Sequence, residues 1–199
     1  MKVSLVRGGS PAPSLIFAAQ TNSADAWMLA GSTLLALNEF QQARSDLDNA
    51  MRLDPSLPGL CTLDGTARDK DGDSDAAVPA FRTALQQNPN DFDANLYLGA
   101  ILLKQRNMDE AGKLLDKALE LRPEARLARY ESALWKSTSG NDQAAVEQLE
   151  KLAADDPQWL EPHVELAVLY YRLHRPQDGA RERQIVDQLT AQQQQQGPK

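Results

Sequence analysis

The sequence predicts an all-α chain, an α-solenoid of antiparallel helix pairs, and three observations carry that prediction. Four prolines, Pro55, Pro89, Pro123 and Pro157, stand 34 residues apart. Small residues recur at one place in each interval, Gly31, Gly65, Gly99, Ala133 and Ala167, and again at Ala43, Ala77, Ala111, Ala145 and Gly179. Between them lie segments with apolar residues at i, i+3, i+4 and i+7, the spacing of one helix face. In such a chain each unit buries its apolar face against its neighbours rather than around one centre.

Ahead of the first full unit, Met1–Pro13 contains Gly8-Gly9-Ser10-Pro11 and Pro13, so residues 1–13 are expected to be a disordered or added leader. Ser14–Gln20 then aligns residue for residue with Leu47–Leu53 and Phe81–Gln87, the ends of later helices, and 14–23 reads as half a repeat. That half-repeat raises the expectation of a fragment of a longer array. Placing each proline at position 32 of its unit gives frames 24–57, 58–91, 92–125 and 126–159, with a last unit at 160–190.

Within the frames, Asp25–Asn38, Phe92–Gln105 and Leu160–Leu173 read as the first helix, helix A, of units one, three and five. Helix B follows a turn at Asn38-Glu39, Asp71-Gly72-Asp73, Arg106-Asn107 and Gly140-Asn141, where chain reversal favours Gly, Asn and Asp. Asp54-Pro55-Ser56, Asn88-Pro89-Asn90 and Asp156-Pro157 end helices, because proline restricts the residue before it. Asp91 is placed to cap the next helix.

Two units depart from the pattern. In unit two, Asp64 and Arg68 occupy helix A positions filled by Ala30, Leu34, Leu98 and Leu102 elsewhere, and Pro79 removes a backbone donor from helix B. The array is expected to be softest there. In unit five, Gly179 and Arg183 leave one face of the last helix to solvent, as a terminal cap requires. Gln192–Gln196 followed by Gly-Pro-Lys is a low-complexity run, and 191–199 is expected to be disordered.

Further columns complete the register. Position 24 holds Leu47, Phe81, Leu115 and Leu149, position 27 holds Ala50, Ala84, Ala118 and Leu152, and unit one has Trp27 at position 4. With the small residues and prolines, this set resembles the tetratricopeptide repeat, in a bacterial-type array of about five units reaching from residue 24 to about 190. The resemblance implies a right-handed superhelix whose concave groove holds a protein or peptide ligand.

It also implies which residues face that groove, at positions 2, 5, 9, 12 and 13 of helix A. Here those places include Met28 and Leu35, then Leu96, Leu103 and Lys104, then Tyr130 and Leu134, and last Val164, Val168, Tyr171 and Arg172. The C-terminal half would be apolar, with two tyrosines and a basic rim, which suits an amphipathic helix or an extended apolar peptide. The alternative is that part of this stripe packs on neighbouring repeats or on the chain's own tail. Family members that hold a chaperone's terminal carboxylate use Lys, Asn, Asn, Lys and Arg at set positions. Met28, Ser32, Leu63, Asp93 and Tyr97 stand there instead, so such a ligand is disfavoured.

Composition narrows the remaining classes. A net charge of −7 without a local Lys/Arg cluster argues against a nucleic-acid partner. The single cysteine, Cys61, excludes an internal disulfide, and no apolar run reaches the length of a membrane span. Met1–Arg7 lacks the apolar core of a secretory signal, so a soluble, cytoplasmic chain is expected. Asp69-Lys70-Asp71-Gly72-Asp73-Ser74-Asp75 resembles a calcium loop, yet Ser74 and Ala80 stand where such a loop needs Gly and Glu. His163 and His174 are too far apart for a helical metal pair, and Cys61 and His163 both fall at position 4, where Trp27 packs in unit one.

No catalytic, cofactor or metal site is therefore expected. The reading is a non-enzymatic interaction scaffold that binds a peptide or partner domain, as a monomer or weak homo-oligomer. Two alternatives stay open: a segment of a larger secretion or envelope assembly whose activity lies elsewhere, and a self-associating structural module.

Overall fold

A computed structural model describes residues 23–196, which form ten α-helices and no strand. The expected leader, nearly all of the half-repeat and residues 197–199 lie outside the described residues. The chain divides after Ala94 into two compact units.

The first unit holds α1 (Ala24–Ala36), α2 (Phe40–Leu53), α3 (Leu60–Lys70) and α4 (Ser74–Gln87). The Ser23 hydroxyl accepts from the Ala26 amide at the start of α1, and the Asp73 carboxylate accepts from the Ala76 amide at the start of α4. Asp91 accepts from the Ala94 amide at 2.9 Å, the cap its position anticipates. Leu34, Ala43, Leu47, Ala50, Leu60 and Ala67 form the core, flanked by half-buried Trp27, Met28 and Leu35.

Close approach explains the small residues at position 8. A methyl group on Gly31 would stand 2.7 Å from the Leu47 side chain, and one on Gly65 would stand 2.8 Å from the Phe81 ring. Positions 8 and 24 are thus one contact, in which the missing Cβ makes room for a large side chain.

The polar departures of unit two are satisfied in place. Arg68 Nε donates to both oxygens of buried Asp64 at 2.9 Å, and its Nη2 reaches Asp48 on α2 at 3.1 Å. Pro79 lies inside α4, which continues to Gln87. The Asp-rich stretch is a turn: Gly72 takes φ +92° and Ser74 donates to Asp69 at 2.6 Å.

The second unit carries most of α5 (Phe92–Lys104), then α6 (Met108–Leu121), α7 (Arg126–Thr138), α8 (Asp142–Asp155), α9 (Leu160–Arg172) and α10 (Pro176–Gln196). The same position 8 to 24 contact joins Gly99 to Leu115, where a methyl group on the glycine would stand 3.0 Å from the leucine side chain. Gly112 lies under Trp135, whose indole N–H donates to the Met108 carbonyl at 2.8 Å and fastens α7 to α6. Val146, Leu149, Leu152, Leu166 and Leu169 fill the space between α8 and α9. His163 is buried on α9 with Nδ1 2.6 Å from Glu182 on α10, while its Nε2 has no partner among the described residues.

Each turn between helices A and B reverses through one left-handed residue, at one spacing: Asn38, Gly72, Arg106, Gly140 and His174. Glycine occupies two of these sites without cost, and the other three hold side chains in a region they adopt at about 1–2 kcal/mol.

The glutamine run departs from expectation. Gln192–Gln196 continue α10 as helix, exposed through Gln195. Buried Leu189 anchors the preceding turn, glutamine is a good helix former, and no breaker precedes Gly197-Pro198.

Candidate functional site

Seven large apolar side chains are exposed among the described residues, and four of them, Leu127, Val164, Val168 and Tyr171, lie on α7 and α9. Val164, Val168 and Tyr171 are spaced i, i+4 and i+7 and so share one face of α9. Val168 is 51 % exposed and Tyr171 46 %. Tyr171 is steadied from beneath, since its ring passes 2.9 Å from where a Cβ on Gly179 would stand. The small residue in that α10 column therefore seats an aromatic ring that remains accessible on its other side.

Beside this face, α5, α7 and α9 enclose a cleft of about 550 Å³. Leu103, Tyr130 and Leu134 supply its apolar lining, and Lys104, Arg106, Glu131 and Glu165 supply its charge. Tyr130 is braced against Trp159, with ring centroids 5.2 Å apart, and the Arg126 guanidinium lies 4.6 Å from the Trp159 ring centre. Burial, then the carboxylates of Glu165, Glu131 and Glu161, push the Tyr130 phenol up, so it stays a neutral hydrogen-bonding group. Burial also raises the Glu165 carboxyl, opposed by the charge of Arg172.

The expected groove residues divide into three groups. Tyr130, Leu134, Val164, Val168, Tyr171 and Lys104 reach the cleft or the exposed face beside it. Leu96 is buried at 2 % exposure, and Leu103 at 6 % shows the cleft only an edge. The reason is that α5 is apolar around most of its circumference, and a helix of that kind is enclosed rather than half-wetted. Met28 and Leu35 are half-buried against the core of the first unit, packing that takes up much of their surface.

The basic rim differs from expectation as well. Arg172 is exposed but engaged, with Nη1 2.8 Å from Asp142 and 3.3 Å from the Ser137 hydroxyl. Basic character comes instead from Lys104 and Arg106, neither of which forms an ion pair among the described residues.

Sequence reasoning missed Arg106, Glu131 and Glu165. Glu131 and Glu165 share position 6, one residue beyond a groove position, where exposed Leu29 also stands in unit one. Arg106 is the turn residue with φ +64°, and that backbone conformation directs the chain out of α5 beside the cleft. No group of three or more His, Cys, Asp or Glu side chains able to hold a metal occurs among the described residues. Nor is any described helix long and apolar enough to cross a membrane.

Comparison with known proteins agrees with the fold. Two tetratricopeptide-repeat family models match the chain, one over residues 63–134 and one over 24–57, together just over half of it. Anaphase-promoting complex subunit 3 of Schizosaccharomyces pombe is 26 % identical over 101 residues, a match that takes in 51 % of this chain and 15 % of that protein. The chain thus spans a small part of the curated relative it matches. Among solved structures, a MamA fragment from Desulfovibrio magneticus RS-1 superposes with a TM-score of 0.72 at 24 % identity, covering 85 % of this chain and 96 % of that one. YrrB, described as a TPR protein with an unusual peptide-binding site, gives 0.69 at 19 % identity over 90 % and 93 %. At these identities the likeness concerns the fold. Period, helix pairing and both family matches lead to one assignment: the chain belongs to the tetratricopeptide-repeat family.

Proposed function

We propose that this protein-interaction module binds a polypeptide segment along α7 and α9 of its second unit, with the cleft beside α5 receiving one or two of the ligand's side chains, and that it acts by binding rather than turnover. The observation that carries this reading is the exposed stripe Val164, Val168 and Tyr171 next to a half-apolar cleft. An apolar stripe at helical spacing, rimmed by charge, matches the face an amphipathic helix or extended apolar peptide would cover.

The test is a capture experiment from the source cell with the intact chain and a Val164→Asp/Val168→Asp variant. Both valines are exposed, so the variant should melt within a few degrees of the parent. A partner held by the parent and lost by the folded variant supports the reading. A partner retained equally by both refutes it.

A further inference from the structure

The cleft beside α5 carries opposite charges on its two sides. Lys104 and Arg106 stand at the C-terminal end of α5 and its turn, and Glu165 stands in the middle of α9, with Tyr130 and Leu134 of α7 between them. Three arginines near the cleft are neutralised: Arg126 by Asp156, Arg129 by Asp155, and Arg172 by Asp142. Lys104, Arg106 and Glu165 form no ion pair among the described residues. Glu165 is half-buried yet accepts no hydrogen bond among the described residues, and the one cation acting on it, Arg172, is held by Asp142. A desolvated carboxylate and two cations, separated by an apolar floor, form a surface that the described residues leave uncompensated.

Resting on the peptide-binding reading above, we propose that the ligand segment is a charge-polarised apolar peptide: a lysine or arginine that meets Glu165, an apolar centre over Tyr130 and Leu134, and a carboxylate that meets Lys104 and Arg106. Charge complementarity of this kind sets register and direction more than raw affinity. A uniformly basic segment would face Lys104 and Arg106, a uniformly acidic one would face Glu165 with Glu131 nearby, and each leaves like charges opposed. Reversing the peptide exchanges its ends and creates both conflicts at once, so a single chain direction is favoured.

Fluorescence anisotropy with the intact chain and four families of short synthetic peptides tests this. All share Leu/Val/Phe centres, and the flanks are Lys on both sides, Asp on both sides, or one of each in either order. One mixed order should bind at least about tenfold tighter than the other three families, the scale of one well-placed charge pair. Glu165→Gln and the pair Lys104→Gln/Arg106→Gln should each weaken that family about three- to tenfold while leaving the melting temperature in place.

Equal binding by all families, or tightest binding by a uniformly charged one, overturns the charge-polarised ligand. If that binding is still lost in Val164→Asp/Val168→Asp, the peptide-binding reading stands without it. Binding by no family overturns both.

Discussion

Replacing Gly65 by alanine would place a methyl carbon 2.8 Å from the Cδ1 and Cε1 atoms of Phe81, well inside the 3.5–4 Å at which carbon atoms rest (about that range for any pair). Phe81 is fully buried and cannot back away. Overpacking of this kind costs about 1–3 kcal/mol, and the better helix propensity of alanine returns about 0.5–1 kcal/mol, so a net loss of about 0.5–2 kcal/mol is expected. Phe81→Leu alone, which shortens a buried side chain and leaves a gap, should cost about 1–2 kcal/mol. The double variant is the informative one, because alanine with leucine is the pair that unit four uses, Ala133 with Leu149. It should be more stable than the two losses added together by about 1 kcal/mol or more, since the leucine vacates the space the new methyl needs. Urea unfolding followed by far-UV circular dichroism measures all four corners of this cycle. Additivity within about 0.5 kcal/mol would refute the claim that positions 8 and 24 share one space. Gly99→Ala is the internal comparison: its methyl would stand 3.0 Å from Leu115, so its net effect should be smaller than that of Gly65→Ala.

Other expectations follow from single groups. Asp46 is buried with Oδ2 unpartnered among the described residues, and desolvation raises its carboxyl to about 6. Because the folded value lies above the unfolded one, the folded state binds the proton more tightly, and stability falls as pH rises from about 4 through about 6. Asp46→Asn should therefore gain about 1–3 kcal/mol at pH 8 and almost nothing below pH 4, and urea titrations showing a pH-independent difference would contradict this. At the left-handed turns, Gly140→Ala should cost about 1 kcal/mol while His174→Gly gains up to about 1 kcal/mol, read as opposite shifts in melting temperature. Arg68→Ala leaves Asp64 buried without its partner and should cost about 1–3 kcal/mol after allowance for the part-exposed guanidinium. Asp64→Leu/Arg68→Leu, which restores the apolar character of these positions in units one and three, should be neutral or stabilising, and a loss as large as that of Arg68→Ala would show the pair to be needed for more than satisfying Asp64.

The sequence made the scaffold legible because backbone geometry repeats. Residues at position 8 face position 24 in each of the three units that carry glycine there, and the reversing turn falls at the same place five times. Periodicity also placed Val164, Val168 and Tyr171 on an open face. It could not place Leu96 and Leu103 correctly, because the period fixes which way a side chain points and not how much material stands in front of it. Pairings of long side chains were equally hidden. Arg172 reaches Asp142 and Arg68 reaches Asp48, contacts 30 and 20 residues apart that vary from unit to unit, so no column of the alignment contains them. The length of α10 was missed because low complexity was read as disorder, whereas a run of glutamines without glycine or proline continues a helix already anchored by Leu189.

The same geometry separates what holds the chain together from what it offers a partner. Columns that face the inside of a helix pair are constrained by volume: a large residue on one side demands a small one opposite, as Phe81 demands Gly65 and Trp135 demands Gly112. Columns that face the cleft carry no such constraint, and there the units differ in chemistry, with Lys104, Tyr130, Glu131 and Glu165 at neighbouring places in successive A helices. Tyr171 joins the two classes, one side of its ring resting over Gly179 and the other open to solvent. A partner that covers Tyr171 would therefore press on a ring already seated against α10, and would lose little side-chain entropy in doing so. Rigid aromatic anchors of that kind carry a large share of binding energy at protein interfaces, which makes Tyr171, and not the more exposed but smaller Val168, the side chain on which affinity should turn.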